Sequence, residues 1–273
     1  MRSLVMRQHD YRLDGRCVYC RTDMSGYAAD EVTDEHIIPR ALNGTLVIRN
    51  GACAECARLS NKNYEAAALN SDLLVPRRLL ELKASRRRGK NHSAPRPLPP
   101  VALGDFGMGG GVFDLDLARE DYPQFFSLVV FQPAGLLIGV DRGGDLQNPS
   151  FQSFNLGGKS RDSDVTTKHT MINGPFAMML AKIAYCYATA EWGESFFDAK
   201  DIRDLLLGRR NDVYNFVGNT ESPERLTTRI LHGLYVRRRG EWLTVLVHLF
   251  ASCHDTKDSS DCHPYEVVVG RAL

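Results

Sequence analysis

No run of about eighteen apolar residues occurs in the 273-residue chain, which excludes a membrane-spanning helix. The N-terminal stretch Met1–Arg7 lacks the apolar segment of a secretory signal. Charge of one sign is not in excess either: 34 Lys and Arg against 33 Asp and Glu leave a net +1. Cysteine is odd in number, seven in all, and four of the seven fall in Cys-x-x-Cys pairs. Such usage is poor for a disulfide framework and points to a reducing compartment, the cytoplasm. The glycine run Gly107-Met108-Gly109-Gly110-Gly111 has no Gly-Lys-Ser/Thr, so it is a turn and not a phosphate-cradling loop. No internal repeat stands out. With 43% apolar and 25% charged residues, this is an ordinary soluble globular chain, long enough for one large or two modest domains.

The pairs Cys17/Cys20 and Cys53/Cys56 bracket the segment Asp34-Glu35-His36-Ile37-Ile38-Pro39. Four thiolates in two such pairs suit a closed tetrahedral zinc site, and a redox role would need a thioredoxin-like βαβ context that is missing. A structural Zn²⁺ here pins a short, loop-rich segment with too little apolar surface to fold alone. The carboxylate and imidazole between the pairs are then held rigidly.

The near-zero net charge conceals an asymmetry. Between Arg77 and Arg96 there are eight Lys and Arg against one acid, Glu81, so this stretch carries +7 and the rest of the chain −6. A basic stretch on an acidic body is an electrostatic footprint for phosphate backbones, or else a solvated linker.

The pattern predicts an α+β protein in three parts: an N-terminal zinc module over residues 1–76, a basic and proline-rich linker over 77–100, and a mixed α+β domain over 101–273. In the module, Glu31–Ile38 reads as a strand stopped by Pro39, Asn43-Gly44 as a hairpin turn, and Thr45–Ile48 as the returning strand. Residues from Cys53 onward favour a helix, and Leu73–Ala84 a further short one. Beyond the linker, Ser127–Phe131 and Leu136–Val140 read as strands. Gly174–Trp192 reads as a helix apolar on most faces, and therefore a core helix, with Lys182 its only basic residue. Phe197–Leu207 reads as a helix stopped by Gly208, and Ile230–Val236, Trp242–Ala251 and Tyr265–Val269 as strands of an antiparallel sheet.

The ordered set Cys17-x-x-Cys20, Glu35-His36-Ile37-Ile38-Pro39, Asn50 and Cys53-x-x-Cys56 resembles the HNH endonucleases with a zinc-bound ββα-metal core. The resemblance covers roughly the first quarter of the chain. The segments Leu180–Tyr185 and Leu207-Gly208-Arg209 look like the accessory domain of bacterial HNH-type proteins, a vaguer likeness that carries no chemistry.

The resemblance implies a metal-dependent endonuclease hydrolysing phosphodiester bonds in DNA. Glu35 would be the carboxylate on a single catalytic Mg²⁺ or Mn²⁺, with Asp34 a less favoured substitute. His36 would be the general base, since a neutral imidazole can take a proton from water near neutral pH. Adjacent strand residues face opposite ways, so a distortion at the strand end is needed for both to serve one site. Asn50 matches the asparagine that orients the histidine, although Asn50-Gly51 is also a good turn pair. The family usually places His or Asn directly after the last cysteine as another ligand, and here that residue is Ala57. Asn61 or Glu65 would then complete the ion's ligands, Glu65 being the harder donor. Arg86, Arg87, Arg88 and Lys90 would hold the phosphate backbone without reading sequence.

The alternative is a zinc-stabilised DNA-binding or adaptor protein without catalysis, with a sensing C-terminal domain. Either way the resemblance implies nucleic acid, DNA, as the partner, and no membrane. A repeated Cys-His dipeptide, Cys253-His254 and Cys262-His263, is a hairpin loop or a second zinc site. Cys186 reads as a buried small hydrophobe; His169, His232 and His248 lack metal spacing and receive no role.

Overall fold

The computed structural model describes residues 8–82, 97–103, 113–145, 148–156, 165–167, 171–222, 230–254 and 263–273. Three strands, β1 (His9–Tyr11), β2 (Val32–His36) and β3 (Leu46–Cys53), form a small sheet with β3 in the centre, parallel to β1 and antiparallel to β2. The link from β2 to β3 is a 3-10 turn, Arg40–Leu42, ending at left-handed Asn43. Gly44 follows because a Cβ there would sit 1.9 Å from the Ile38 carbonyl oxygen. After β3 the chain runs through α1 (Ala54–Ser60), a π-helical turn (Asn61–Glu65) and α2 (Ala66–Asn70), then α3 (Leu74–Leu79). The expected strand, turn, strand, helix order is present. The π turn is an addition, and it packs against the long helix described below.

In the remaining chain, β4 (Val101–Leu103) pairs with β5 (Phe113–Leu115) on one side and, on the other, with a later strand. A two-stranded ribbon joins β6 (Phe125–Val130) to a strand beyond α4 (Gly135–Ile138), β7 (Ser150–Asn155); β8 (Val165–Thr167) is the second partner of β4. The expected strand over Leu136–Val140 is instead the single helical turn α4. Gly139 at φ +69° stops it and the Val140 N–H donates back to the Gly135 carbonyl at 3.0 Å. A short apolar run does not by itself distinguish strand from helix.

Helix α5 (Asn173–Trp192) matches its expected span and ends at Gly193, φ +76°. The start of the next expected helix is instead extended: β9 (Phe197–Asp198) pairs with the chain's last strand, and only then does α6 (Lys200–Leu206) begin. A short helix α7 (Val213–Phe216) leads into β10 (Val217–Asn219). With β11 (Gly233–Arg239), β12 (Trp242–His248) and β13 (Tyr265–Ala272) it builds the expected antiparallel sheet, in the order β10-β13-β12-β11. The strand expected to run to Ala251 stops at His248, and Ala251–His254 is a 3-10 turn.

Helix α5 lies against β12 and β13 on one side and against the π turn and α2 on the other. A helix apolar all round must be covered on more than one face, and these two surfaces do so. One apolar core consequently runs from Cys17, Val18 and Tyr19 through Leu180 and Ile183 to Val245 and Val267. The N-terminal module and the C-terminal segment are thus packed as one body, and α5 is the shared wall that places a side chain in the site.

Candidate functional site

Two loops bring the four cysteines together. Between Cys17 and Cys20 the chain turns tightly, with Arg21 at φ +62° donating its N–H to the Cys17 carbonyl at 2.9 Å. Cys53 is the last residue of β3 and Cys56 lies in the first turn of α1, so the strand-to-helix junction is the second loop. All four Sγ atoms lie within 4.8 Å of one another, Cys20 and Cys53 being 4.0 Å apart. A zinc ion with Zn–S bonds of about 2.3 Å needs sulfurs about 3.8 Å apart. The cysteines are free thiols, and Cys17, Cys53 and Cys56 are buried. The Cys56 thiol and the N–H groups of Cys20, Cys53 and Tyr19 favour the thiolate of Cys17, which burial opposes; Cys56 is held protonated by the same contact and by burial. Four such sulfurs lose their protons together only to a cation, so the donor set fits structural zinc.

Strand β2 carries Glu35 and His36 past this cluster. Its pairing with β3 is irregular between Thr33 and Glu35, where Asp34 faces Arg49 and Asn50. Asp34 accepts from Arg49 at 2.6 Å and from the Asn50 backbone N–H at 3.0 Å, so both of its oxygens are engaged on the surface. From Glu35 onward the register is regular, Glu35 opposite Ile48 and His36 opposite Val47. The distortion therefore lies before the dipeptide, and the two side chains diverge. Glu35 turns into the protein and is 6% exposed; His36 is half-buried.

Inside, Glu35 meets Lys182 of α5. The Lys182 ammonium, 1% exposed, contacts Glu35 Oε1, lies 2.8 Å from Glu65 Oε1 and 3.4 Å from the Ile37 carbonyl, and donates to the His36 carbonyl. Burial works against its charge, but the Glu35 and Glu65 carboxylates outweigh that and raise its pKa. Glu35 is raised, by burial first and by Glu65, while Lys182 and the Tyr19 hydroxyl counteract. His36 is lowered by burial and by the positive charges of Arg40 and Lys182, which keeps the ring neutral at physiological pH. Its Nδ1 is buried without a hydrogen-bond partner.

The other expected site residues scatter. Asn50, at φ +50°, is exposed in the bulge and its side chain does not satisfy His36 Nδ1. Asn61 is exposed on the π turn, whereas Glu65 points to Lys182. Arg86, Arg87, Arg88 and Lys90 lie outside the described residues. Arg77, counted in the basic stretch, is spent on the carbonyls of Leu69 at 2.6 Å and Ala41 at 3.2 Å. Cys262 and the side chain of His254 also lie outside the described residues, and His263 Nδ1 is 2.8 Å from the Thr220 carbonyl.

The carboxylates therefore do not fit a catalytic divalent ion in this arrangement. Mg²⁺ requires near-octahedral oxygens at about 2.1 Å and keeps several waters. Here the two carboxylates share a buried ammonium, and a second cation on the same oxygens would be repelled by it. Among the described residues, the four cysteines are the only His, Cys, Asp and Glu group that converges on one point. Sequence reasoning gave Lys182 no role; its signal was a single cation on an otherwise apolar face, between Met179, Ile183 and Cys186.

Comparison with known proteins agrees with the first quarter of the chain. Residues 17–73 match the family of HNH endonucleases, a span of about a fifth of the 273 residues. No curated protein and no solved structure matches the chain. The matched span begins at the first zinc-type cysteine and ends beyond α2, taking in β2, β3 and the helix that follows. Residues 17–73 match the HNH endonuclease family, and they form a zinc-type ββα module within a larger α+β chain.

Proposed function

We propose that this protein is an HNH-type endonuclease that hydrolyses phosphodiester bonds of nucleic acid, DNA in particular, with His36 as general base. The observation that carries this reading is the position of His36. It ends β2 of an HNH-family module, partly open to solvent, with a ring that burial and neighbouring charge keep neutral. A neutral imidazole takes a proton from water as the water oxygen bonds to phosphorus; the ester P–O bond breaks and the leaving oxygen takes a proton from solvent. Exposed Arg40, close enough to act electrostatically on His36, supports a phosphate beside it. Arg86, Arg87, Arg88 and Lys90 supply the non-specific hold on the backbone.

A divalent ion, Mg²⁺ or Mn²⁺, would neutralise charge on the phosphate and leaving oxygen. Because Glu35, Asn61 and Glu65 do not offer it a site, the reading rests on His36 and not on those residues. A second reading, nucleic-acid binding without cleavage, is favoured by the same ammonium and by Ala57 in the usual ligand position.

Plasmid nicking with Mg²⁺ and with Mn²⁺, wild type beside His36→Ala, tests the first reading. Cleavage by the wild type that His36→Ala abolishes, with zinc content and DNA retention intact, is the expected result. Cleavage that persists in the variant removes His36 from the mechanism. DNA retention without nicking, unaffected by chelating Mg²⁺, selects the second reading.

A further inference from the structure

We infer that the Lys182 ammonium is the resident cation of the Glu35–Glu65 carboxylate pair, held there in place of a divalent ion. Its neighbours account for it completely. The ammonium donates hydrogen bonds to the main-chain carbonyls of His36 and Ile37, and the carboxylates of Glu35 and Glu65 pair with it as ions. At 1% exposure no phosphate reaches it. Lys182 is thus a positioning residue. It fixes the strand end that presents His36, and it does so from α5, 146 residues along the chain.

The charges of the neighbourhood point the same way. Glu35 and Glu65 come from β2 and from the π turn, two elements of the HNH-family module. Two carboxylates brought together with little water between them are tolerated by a shared proton or by a cation between them. The side wall contributed by α5 provides one permanently. The π turn itself belongs to this arrangement: such turns shift the helical register locally, and Glu65 is its last residue. The assignment holds whether or not the module cleaves nucleic acid.

Mn²⁺ titration of the zinc-loaded full-length chain, with free Mn²⁺ read by electron paramagnetic resonance, decides the matter. Wild type and Glu35→Gln should show the same Mn²⁺ uptake. Lys182→Met should gain a site at least about tenfold tighter than anything in wild type, and Lys182→Met/Glu35→Gln should lose it again. Wild type that takes up one equivalent more than Glu35→Gln overturns the assignment, and so does a folded Lys182→Met that binds no Mn²⁺. If Lys182→Met fails to fold, the comparison of wild type with Glu35→Gln still decides: equal uptake supports the assignment, a difference of one equivalent overturns it. None of these readouts involves cleavage, so the assignment and the proposed activity can fail separately.

Discussion

His232 Nε2 lies 2.9 Å from the carbonyl oxygen of Leu42, and its Nδ1 lies 3.2 Å from the amide nitrogen of Phe250. A carbonyl only accepts and an amide N–H only donates, so Nε2 carries the proton and Nδ1 is the acceptor. The neutral ring ties the turn after β2 to the segment after β12. Burial lowers its pKa from 6.5 to about 4, against a partial rise from the Leu42 carbonyl. Between those values the unfolded chain binds a proton that the folded chain does not, so stability falls as pH falls from 6.5 to 4. The loss is at most about 3 kcal/mol by pH 4, trimmed by the ring's residual solvent contact. Urea midpoints at pH 7 and 4.5 should move less in His232→Gln than in wild type. An unchanged pH dependence in that variant would discount the ring.

Removing Lys182 strands the buried carboxylate of Glu35 and the half-buried one of Glu65. Lys182→Met should lose about 3–5 kcal/mol of stability, while Lys182→Met/Glu35→Gln/Glu65→Gln, which removes all three charges, should recover most of it. Chemical denaturation of wild type, Lys182→Met, Glu35→Gln/Glu65→Gln and the triple variant measures the coupling. Additive losses would mean that the three side chains act independently.

Zinc should be present at one ion per chain and essential for the fold of the module. Chelation, or Cys56→Ser, should unfold residues around β2 and β3. Because Tyr185 of α5 lies 2.6 Å from the Val18 carbonyl, inside the Cys17–Cys20 turn, protection in α5 should fall as well. Hydrogen exchange resolved by mass spectrometry reads both regions. Full retention of α5 protection after zinc loss would contradict the shared core.

The basic stretch should act through phosphates alone. Replacing Arg86, Arg87, Arg88 and Lys90 with Gln should reduce the slope of log affinity against log salt by about 3–4, near 0.9 for each phosphate contact. Weakening should be the same for DNA of any sequence. A slope that does not change would make the stretch a solvated linker.

Where chemistry depends on short spacings, the sequence was easy to read. The cysteine pairs, the Glu35-His36 dipeptide, the strand–turn–strand–helix order and the core helix at 173–192 all rest on neighbours within one or two turns. Leu136–Val140 was harder, because four apolar residues satisfy a strand and a helical turn equally until Gly139 and the fold around Gly135 decide. The site beyond His36 was hardest. Asn61 and Glu65 share a face of an ideal α-helix, but the π turn separates them, leaving Asn61 in solvent and Glu65 on Lys182.

The sequence by itself determined that four sulfurs would converge and that a carboxylate and an imidazole would be carried between them, because metal ligation and strand pattern are local properties. Only the tertiary structure decided what Glu35 meets. Lys182 is remote in sequence and close in space, since a helix apolar on every side must be buried between two surfaces. The one charge it carries is then forced to find its partners wherever that burial places it.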